Sequence, residues 1–386
     1  MLLSIVIPTH NRQKYAKGCV DSLSKIASEE VEILVSDSSS ANDLFEYVKS
    51  KYSNINIKVL KPKNVNNAVE NFNYAIDKAQ GHYILIIGDD DTVLPNIVNL
   101  LKYLQEKSVD AVRFNFPYEY FWDDCYEEHK GLNNSMRATS FTGEVTEFDA
   151  LTEAMEAGNN FGHGVLKMPR AYLGVVSRPL IDRIENKYGK LFGGVSPDIY
   201  SSLLISYESA KTVNVDFPVV IPGSSGASTS GKSVNGKHVS ELMDNDHLSA
   251  FPNLRWDLKI PKFYSTHTVW AFSYLQALSS IKTHNNFLFE PDFYRLYIKT
   301  LYTYKAYSKY TFKSLRLSLS RNYTIETGKL IGAEIKEVSW VINRGFNRII
   351  KTSKLHNIEN INSLSLCQKE IESEINRKKI FIKFKV

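Results

Sequence analysis

The chain has 386 residues, 43% hydrophobic and 23% charged, which excludes intrinsic disorder and low-complexity architecture and leaves room for two domains, or one domain with a long appendage. Its formal net charge of +5 is uneven: residues 299–386 carry 18 Lys/Arg against 7 Asp/Glu, so a basic end follows an acidic body of net −6. Cys19, Cys125 and Cys367 have neither metal nor disulfide spacing, pointing to a reducing compartment, and the N-terminal apolar run is too short for a signal peptide or a membrane span.

In chain order, residues 2–7 form an apolar run that suits a buried strand. Pro8 ends it, and Thr9, His10, Asn11 and Arg12 form the loop before a helix over about 13–27. Residues 31–35 make a second strand running into Ser36 and Asp37. Asn42 or Asp43 can cap the next helix. A third strand over 55–60 precedes Lys61, and a helix over 66–80 ends at Gly81. The run from Tyr83 to Ile87 then enters Asp89, Asp90 and Asp91, Pro95 opens a helix to about 106, and 110–116 is another strand. This alternation predicts a mostly parallel, doubly wound sheet flanked by helices.

The strand ends are polar in a way that packing does not require. In an open α/β sheet they fall on the edge where ligands bind. There Asp37 offers an acceptor for a base or ribose, Arg12 and Lys61 offer cations for phosphate, and residues 89–91 offer carboxylates for a hard divalent ion. Neither a GxGxxG nor a GxxxxGK[ST] motif is present, which removes the main support for dinucleotide-binding and P-loop readings.

Further along, FNFPYEYFWDDCYEE places Tyr118, Tyr120 and Trp122 where they could stack on a sugar, although such residues more often pack. The loop NNFGHG, with His163, borders a possible acceptor site; a lone histidine is usually a local hydrogen-bonding residue. In LFGGVSPDIYSSLLIS, Gly193 and Gly194 allow a turn and Pro197 and Asp198 open a helix. Residues 222–238 are Gly/Ser-rich and read as a linker, or as a lid carrying Lys232, Lys237 and His238 to a diphosphate. Beyond about 253 the chain reads as mainly helical. Residues 338–354 alternate apolar and basic positions, which suits a helix on an anionic membrane surface or a solvated basic face. The final RKKIFIKFKV alternates like a short strand or a peripheral anchor, and no nucleic-acid-binding module is visible.

Taken in order, SIVIPTHNR, EILVSDSSS and NNAVENFNYAIDKAQGHYILIIGDDDTVLP resemble the nucleotide-binding half of glycosyltransferase family 2, inverting enzymes of GT-A fold. The resemblance is close over 1–115 and thins towards 205. It implies a GT-A-type, Rossmann-like sheet in a domain over 1–250, with a nucleotide-binding half (1–115) and an acceptor half (116–250). A basic, mainly helical region over 251–386 follows. It implies that Pro8, Thr9 and Asn11 contact a nucleotide, that Asp37 holds uracil, and that Asp89 lies beside the ribose. It places a Mn²⁺ or Mg²⁺ ligand at Asp90, with Asp91 adjoining, and a catalytic base at Asp198, for which Glu153 and Glu156 are the alternatives. The sequence departs from the family pattern at Gly88, where the DxDD motif has its first aspartate, at Asn67, where a glycine is usual, and at Ser36 in the usual pair of acids. The expected activity is transfer of a sugar from a nucleoside-diphosphate sugar, UDP favoured, to a hydroxyl of a glycan or lipid-linked acceptor in bacterial surface polysaccharide synthesis. The expected location is the cytoplasm, with residues 299–386 able to touch the inner membrane face. The alternatives are a nucleotidyltransferase using the same edge, or a non-catalytic scaffold that keeps the fold.

Overall fold

A computed structural model describes residues 1–126, 130–227, 239–245, 248, 250–251, 254–319, 323–352 and 355–385. Nine strands form the central sheet: β1 (Leu3–Thr9), β2 (Val31–Asp37), β3 (Ile57–Leu60), β4 (Tyr83–Ile86), β5 (Ala111–Phe114), β6 (Glu144–Glu147), β7 (Gly174–Ser177), β8 (Thr212–Val215) and β9 (Lys383–Lys385). Their order across the sheet is β9-β6-β8-β5-β7-β4-β1-β2-β3. β4, β1, β2 and β3 run parallel, and β8 runs parallel to β5. β7 lies antiparallel between β4 and β5 and leaves those two parallel to one another. The sheet is therefore mostly parallel α/β, as the alternation implies, with an antiparallel strand inserted from residues 174–177.

Alternation within the strands fills a core on each face. Leu3, Ile5 and Ile7 of β1 point to one face. There they meet α1 (Gln13–Leu23), α2 (Asp43–Lys51) and α4 (Ile97–Glu106). Val6 points to the other face, which is covered by α3 (Ala68–Lys78), α5 (Ala150–Asn159), α6 (Arg178–Tyr188), α7 (Pro197–Glu208) and α8 (Thr266–His284). Both faces being covered explains the near-continuous apolar runs of β1, β2 and β4. Asn67 caps α3, its side chain accepting the Glu70 N–H at 3.0 Å, which gives the asparagine at that position a structural role.

Helices α9 (Phe293–Thr303), α10 (Ser308–Ser318) and α11 (Tyr323–Thr352) follow α8, in line with a mainly helical region. The chain then returns to the N-terminal sheet. His356–Glu359 pairs antiparallel with Ser135–Ala138, α12 (Leu364–Lys378) packs on α1, and β9 adds parallel to β6. Ile361, Leu364, Cys367 and Ile371 are buried in the same core as β1. Gln368 Nε2 donates to Thr92 Oγ1 at 2.9 Å and to the Val93 carbonyl at 2.8 Å, directly behind the three aspartates. The final alternating stretch is thus an edge strand, and the last thirty or so residues build the same core as the first hundred.

Candidate active site

Because β1 and β4 are parallel neighbours, their C-terminal ends bring residues 9–12 against residues 88–91. Thr9 Oγ1 donates to Asp89 Oδ2 at 2.5 Å, Arg12 Nε to Asp89 Oδ1 at 2.7 Å, and Arg12 Nη2 to Asp90 Oδ2 at 2.8 Å. Ser225 Oγ also donates to Asp90 Oδ2, at 2.6 Å, and Trp122 Nε1 donates to the Asp90 carbonyl at 3.0 Å. Asp89, Asp90 and Asp91 are 4%, 5% and 2% exposed, so their charge is poorly hydrated and Arg12 is the cation that balances it. Burial pushes the Asp89 carboxyl up to about 6, with Arg12 opposing the rise and Asp90 adding to it.

Asp91 is engaged differently. Its Oδ2 accepts the Gly88 N–H at 2.6 Å and its Oδ1 the Gly223 N–H at 2.7 Å. Both oxygens therefore clamp the acidic turn to the strand Gly223–Ser224. Burial, reinforced by the neighbouring Asp90 charge, still raises its pKa. Gly223 is required by close approach, since a Cβ there would lie 1.8 Å from the Asp90 carbonyl oxygen.

Across from this edge stands the start of α7. Pro197 is its first residue, which suits a position whose N–H has no helical partner. Asp198 follows, half-buried, where a helix N-terminus favours a carboxylate. Burial nevertheless raises its pKa, with Arg170 pulling the other way. Pro8, Thr9, Arg12, Asp89, Asp90 and Asp198 all line one cleft of about 700 Å³. Asn71 and Phe72 of α3 and Trp270 of α8 contribute to the same walls.

Tyr172 also lines this cleft, although no local pattern in the chain marks it. Burial pushes its phenol pKa up, and the charges of Asp91, Asp90 and Asp198 add to the rise. A Cβ at residue 88 would come within 2.7 Å of Tyr172 Oη and 2.9 Å of Asp90 Oδ1. The tyrosine hydroxyl fills the space that a side chain at 88 needs, which accounts for Gly88 in the motif.

Other expected site residues lie elsewhere. Asp37 and Lys61 pair with each other at 3.1 Å, and Asp37 Oδ1 also accepts the Ser39 N–H at 3.0 Å, so in this arrangement they satisfy one another beside the cleft. Asn11 is exposed, with φ of 55°, and its N–H donates to Ser39 Oγ at 2.7 Å. His163 is bonded to the Asn160 carbonyl and to Glu337 Oε2, both at 2.9 Å, in a buried cluster away from the cleft. Tyr118, Tyr120 and Trp122 are buried and pack in the core, Trp122 bracing the acidic turn from behind. Glu153 and Glu156 do not line the cleft; Glu156 Oε1 accepts from Asn160 Nδ2 at 2.6 Å. Of the glycine/serine loop, Gly223 and Ala227 border the cleft, whereas Lys232, Lys237 and His238 lie outside the described residues.

A sequence family described as "Glycosyl transferase family 2" matches residues 4–148, the stretch from β1 to the end of β6 that builds the acidic side of this cleft. That match takes in the strand ends carrying Thr9, Arg12, Asp89 and Asp90 and leaves the later part of the chain outside it. Among relatives of the family 2 domain, "Glycosyltransferase GlyG" of Streptococcus pneumoniae is 33% identical over 117 residues, 30% of this chain and 39% of that protein. "GalNAc(5)-diNAcBac-PP-undecaprenol beta-1,3-glucosyltransferase" of Campylobacter jejuni is 28% identical over 150 residues, 38% of this chain and 44% of that protein. "Abequosyltransferase RfbV" of Salmonella typhimurium is 24% identical over 219 residues, 47% of this chain and 66% of that protein. The chain thus spans less than half of the first two relatives and about two thirds of the third. Among solved structures, S. aureus TarS 1-349 in complex with UDP-GlcNAc aligns at a TM-score of 0.46 and 14% identity, over 86% of this chain and 79% of that one. Asp198 lies beyond the matched segment, and its place in the cleft is what joins it to the acidic edge.

Proposed function

We propose that this family 2 glycosyltransferase moves a sugar from a nucleoside-diphosphate sugar to an acceptor hydroxyl with inversion at the anomeric carbon. The observation that carries the reading is that Asp90 and Asp198 line the same cleft, one at a sheet edge and the other at a helix start facing it. In a single displacement the acceptor oxygen bonds to the anomeric carbon as the carbon–oxygen bond to the diphosphate breaks. Asp198 takes the acceptor proton, and burial, which raises its pKa, makes it a stronger base than an ordinary carboxylate. Arg12, which lines the cleft beside Asp89, is the cation offered to the leaving diphosphate, and Asp89, fixed by Thr9, offers an acceptor for the ribose hydroxyls. Uridine is the base that the motif resemblance favours.

Among the described residues no three His, Cys, Asp or Glu groups are arranged to hold a metal ion. Asp90, whose Oδ2 accepts from Arg12 and Ser225, is the carboxylate that would hold a hard Mg²⁺ or Mn²⁺, with Asp91 adjoining and substrate phosphates completing the shell. Such an ion would neutralise charge building on the departing diphosphate.

The acceptor we propose is a lipid-linked or nascent saccharide in bacterial surface polysaccharide assembly; the name of the Campylobacter relative gives an undecaprenol-linked saccharide for that protein. No helix among the described residues is long and apolar enough to cross a membrane. On α11, however, Ile331, Ile335, Val338, Ile342 and Phe346 recur at helical spacing and are exposed, beside Lys336 and Arg344. An apolar stripe flanked by cations suits docking on an anionic membrane surface, which would place the enzyme at the inner face.

A thermal-shift panel of nucleoside diphosphates and nucleotide sugars, with and without Mn²⁺, tests the donor reading. One base should stabilise the protein, more so with Mn²⁺. No shift with any of them would remove the reading.

A further inference from the structure

A second cavity, of about 680 Å³, opens on the same edge of the sheet and is lined by Arg113, Phe116, Lys167, Arg170, Asn214 and Asp216 among others. Its place follows from the topology. β5 and β8 are parallel, so their C-terminal ends meet on the edge that carries residues 89–91. The segment leading into antiparallel β7 crosses that edge. Arg170 in this segment lines the second cavity, and Tyr172, two residues on, lines the first. This short segment therefore partitions the donor cleft from its neighbour. Leu166 and Leu173, with φ of 49° and 58°, bracket it in strained backbone.

The charges in the second cavity do not balance. Among the described residues its one lining carboxylate, Asp216, is committed to the chain around it: Oδ1 accepts from Asn115 Nδ2 at 2.9 Å, and Oδ2 from the Thr142 N–H at 2.8 Å and from Thr142 Oγ1 at 2.7 Å. Among the described residues, none of Arg113, Lys167 and Arg170 has a carboxylate within ion-pair distance. Arg113 is held in place, Nε donating to Asn214 Oδ1 at 2.8 Å and Nη1 to the Lys167 carbonyl at 2.6 Å, with its guanidinium 4.5 Å from the Phe148 ring centre. Arg170 lies over the Phe116 ring at 4.9 Å. Burial lowers the pKa of both arginines; Glu153 offsets this at Arg113 while Arg170 adds to it, and Asp198 offsets it at Arg170. Arginine stays protonated in proteins, so the cost of burial and mutual repulsion remains until an anion enters. One hydrogen-bonded guanidinium, a second stacked over a ring and an exposed ammonium at the rim match a tetrahedral oxyanion better than a single carboxylate.

We propose that this second cavity, set off from the cleft holding Asp198 by the segment of Arg170 and Tyr172, seats a phosphate group of the acceptor. The inference rests on the glycosyltransferase reading and narrows its acceptor to a phosphorylated saccharide or polyol. Phosphate anchored beside Arg170 and Arg113 lies on the acceptor side of the Tyr172 partition, apart from the donor diphosphate beside Arg12.

The test is calorimetric titration with glycerol phosphate, with glycerol and glucuronate as controls, at low salt and both with and without UDP. Glycerol phosphate should bind and the controls should not. Arg113→Gln should weaken it about tenfold, as expected for loss of a charge-assisted contact. Lys167→Gln should weaken it measurably; Lys167 is exposed, so its replacement leaves the fold intact. Affinity for UDP should be the same in both variants as in the parent protein. Absence of glycerol phosphate binding, equal binding by both variants, or preference for glucuronate would overturn the proposal. UDP titrated alone into the parent protein scores the donor reading separately, so failure of one is not mistaken for failure of the other.

Discussion

Replacing Arg12 by glutamine probes the electrostatics of the cleft most sharply. The guanidinium is 19% exposed and bridges Asp89 at 2.7 Å and Asp90 at 2.8 Å, both nearly buried. Removing one partner of such a buried pair leaves uncompensated charge and costs about 3–5 kcal/mol, and the partial exposure of Arg12 argues for about 3. Unfolding entropy of roughly 2 cal/mol/K per residue converts that to a loss of about 4 °C in Tm for a chain this long. The loss should depend on pH. Asp89 is raised from 3.8 to about 6, so its contribution to stability is fully present below 3.8 and is lost as pH rises through 6. Without Arg12 the Asp89 carboxyl rises further, and the variant regains stability on acidification as Asp89 takes up a proton. Thermal unfolding at pH 7 and pH 5 is the assay. A drop at pH 7 that shrinks at pH 5 is expected; an equal drop at both, or none at pH 7, refutes the reasoning.

Glu337 is buried against His163 at 2.9 Å, Arg295 at 3.0 Å and Lys299 at 3.2 Å, so Glu337→Gln should cost about 3–5 kcal/mol in chemical denaturation. Burial alone would raise the Glu337 pKa, but His163 and Lys299 bring it from 4.5 down to about 2; its stabilisation is therefore present above 4.5 and lost as pH falls through 2, a slope that the glutamine variant should lack. Deleting residues 356–385 removes Ile361, Leu364, Cys367 and Ile371 from the N-terminal core and should abolish cooperative unfolding; an unchanged Tm would show that this segment is dispensable. Because of that burial, membrane docking is better tested by point changes than by truncation. Ile335→Asp combined with Ile342→Asp should abolish co-sedimentation with anionic liposomes while leaving Tm within a degree or two, and undiminished sedimentation would remove α11 as the docking element.

The first hundred residues are legible because each strand is a short apolar run ended by a proline or a polar turn, and each helix repeats its apolar positions at helical spacing. Asp89 and Asp90 at the end of β4 and Asp198 at the start of α7 were visible for that reason, and the fold brings them to one cleft. Contributions from far along the chain were not visible. Ser225 reaches Asp90 across 135 residues, and Tyr172 enters on the segment leading into β7, a short strand inserted antiparallel between β4 and β5 that no local pattern marks. Nor does charge at a strand end reveal its partners in the fold: Asp37 and Lys61 face one another, and both oxygens of Asp91 accept backbone N–H groups. In α12 the apolar residues Leu364, Cys367 and Ile371 recur at helical spacing, but the many lysines and arginines around them favour a surface reading over burial.

The most direct measurement is turnover and donor affinity of Asp198→Asn. With the donor sugar nucleotide found in the thermal-shift panel, and water or glycerol phosphate as acceptor, turnover should fall at least about 100-fold, the lower range for loss of a general base. Donor affinity should stay at the level of the parent protein, because the nucleotide is held on the opposite side of the cleft. Unchanged turnover, or loss of donor binding in step with loss of turnover, would contradict Asp198 as the group that accepts the acceptor proton.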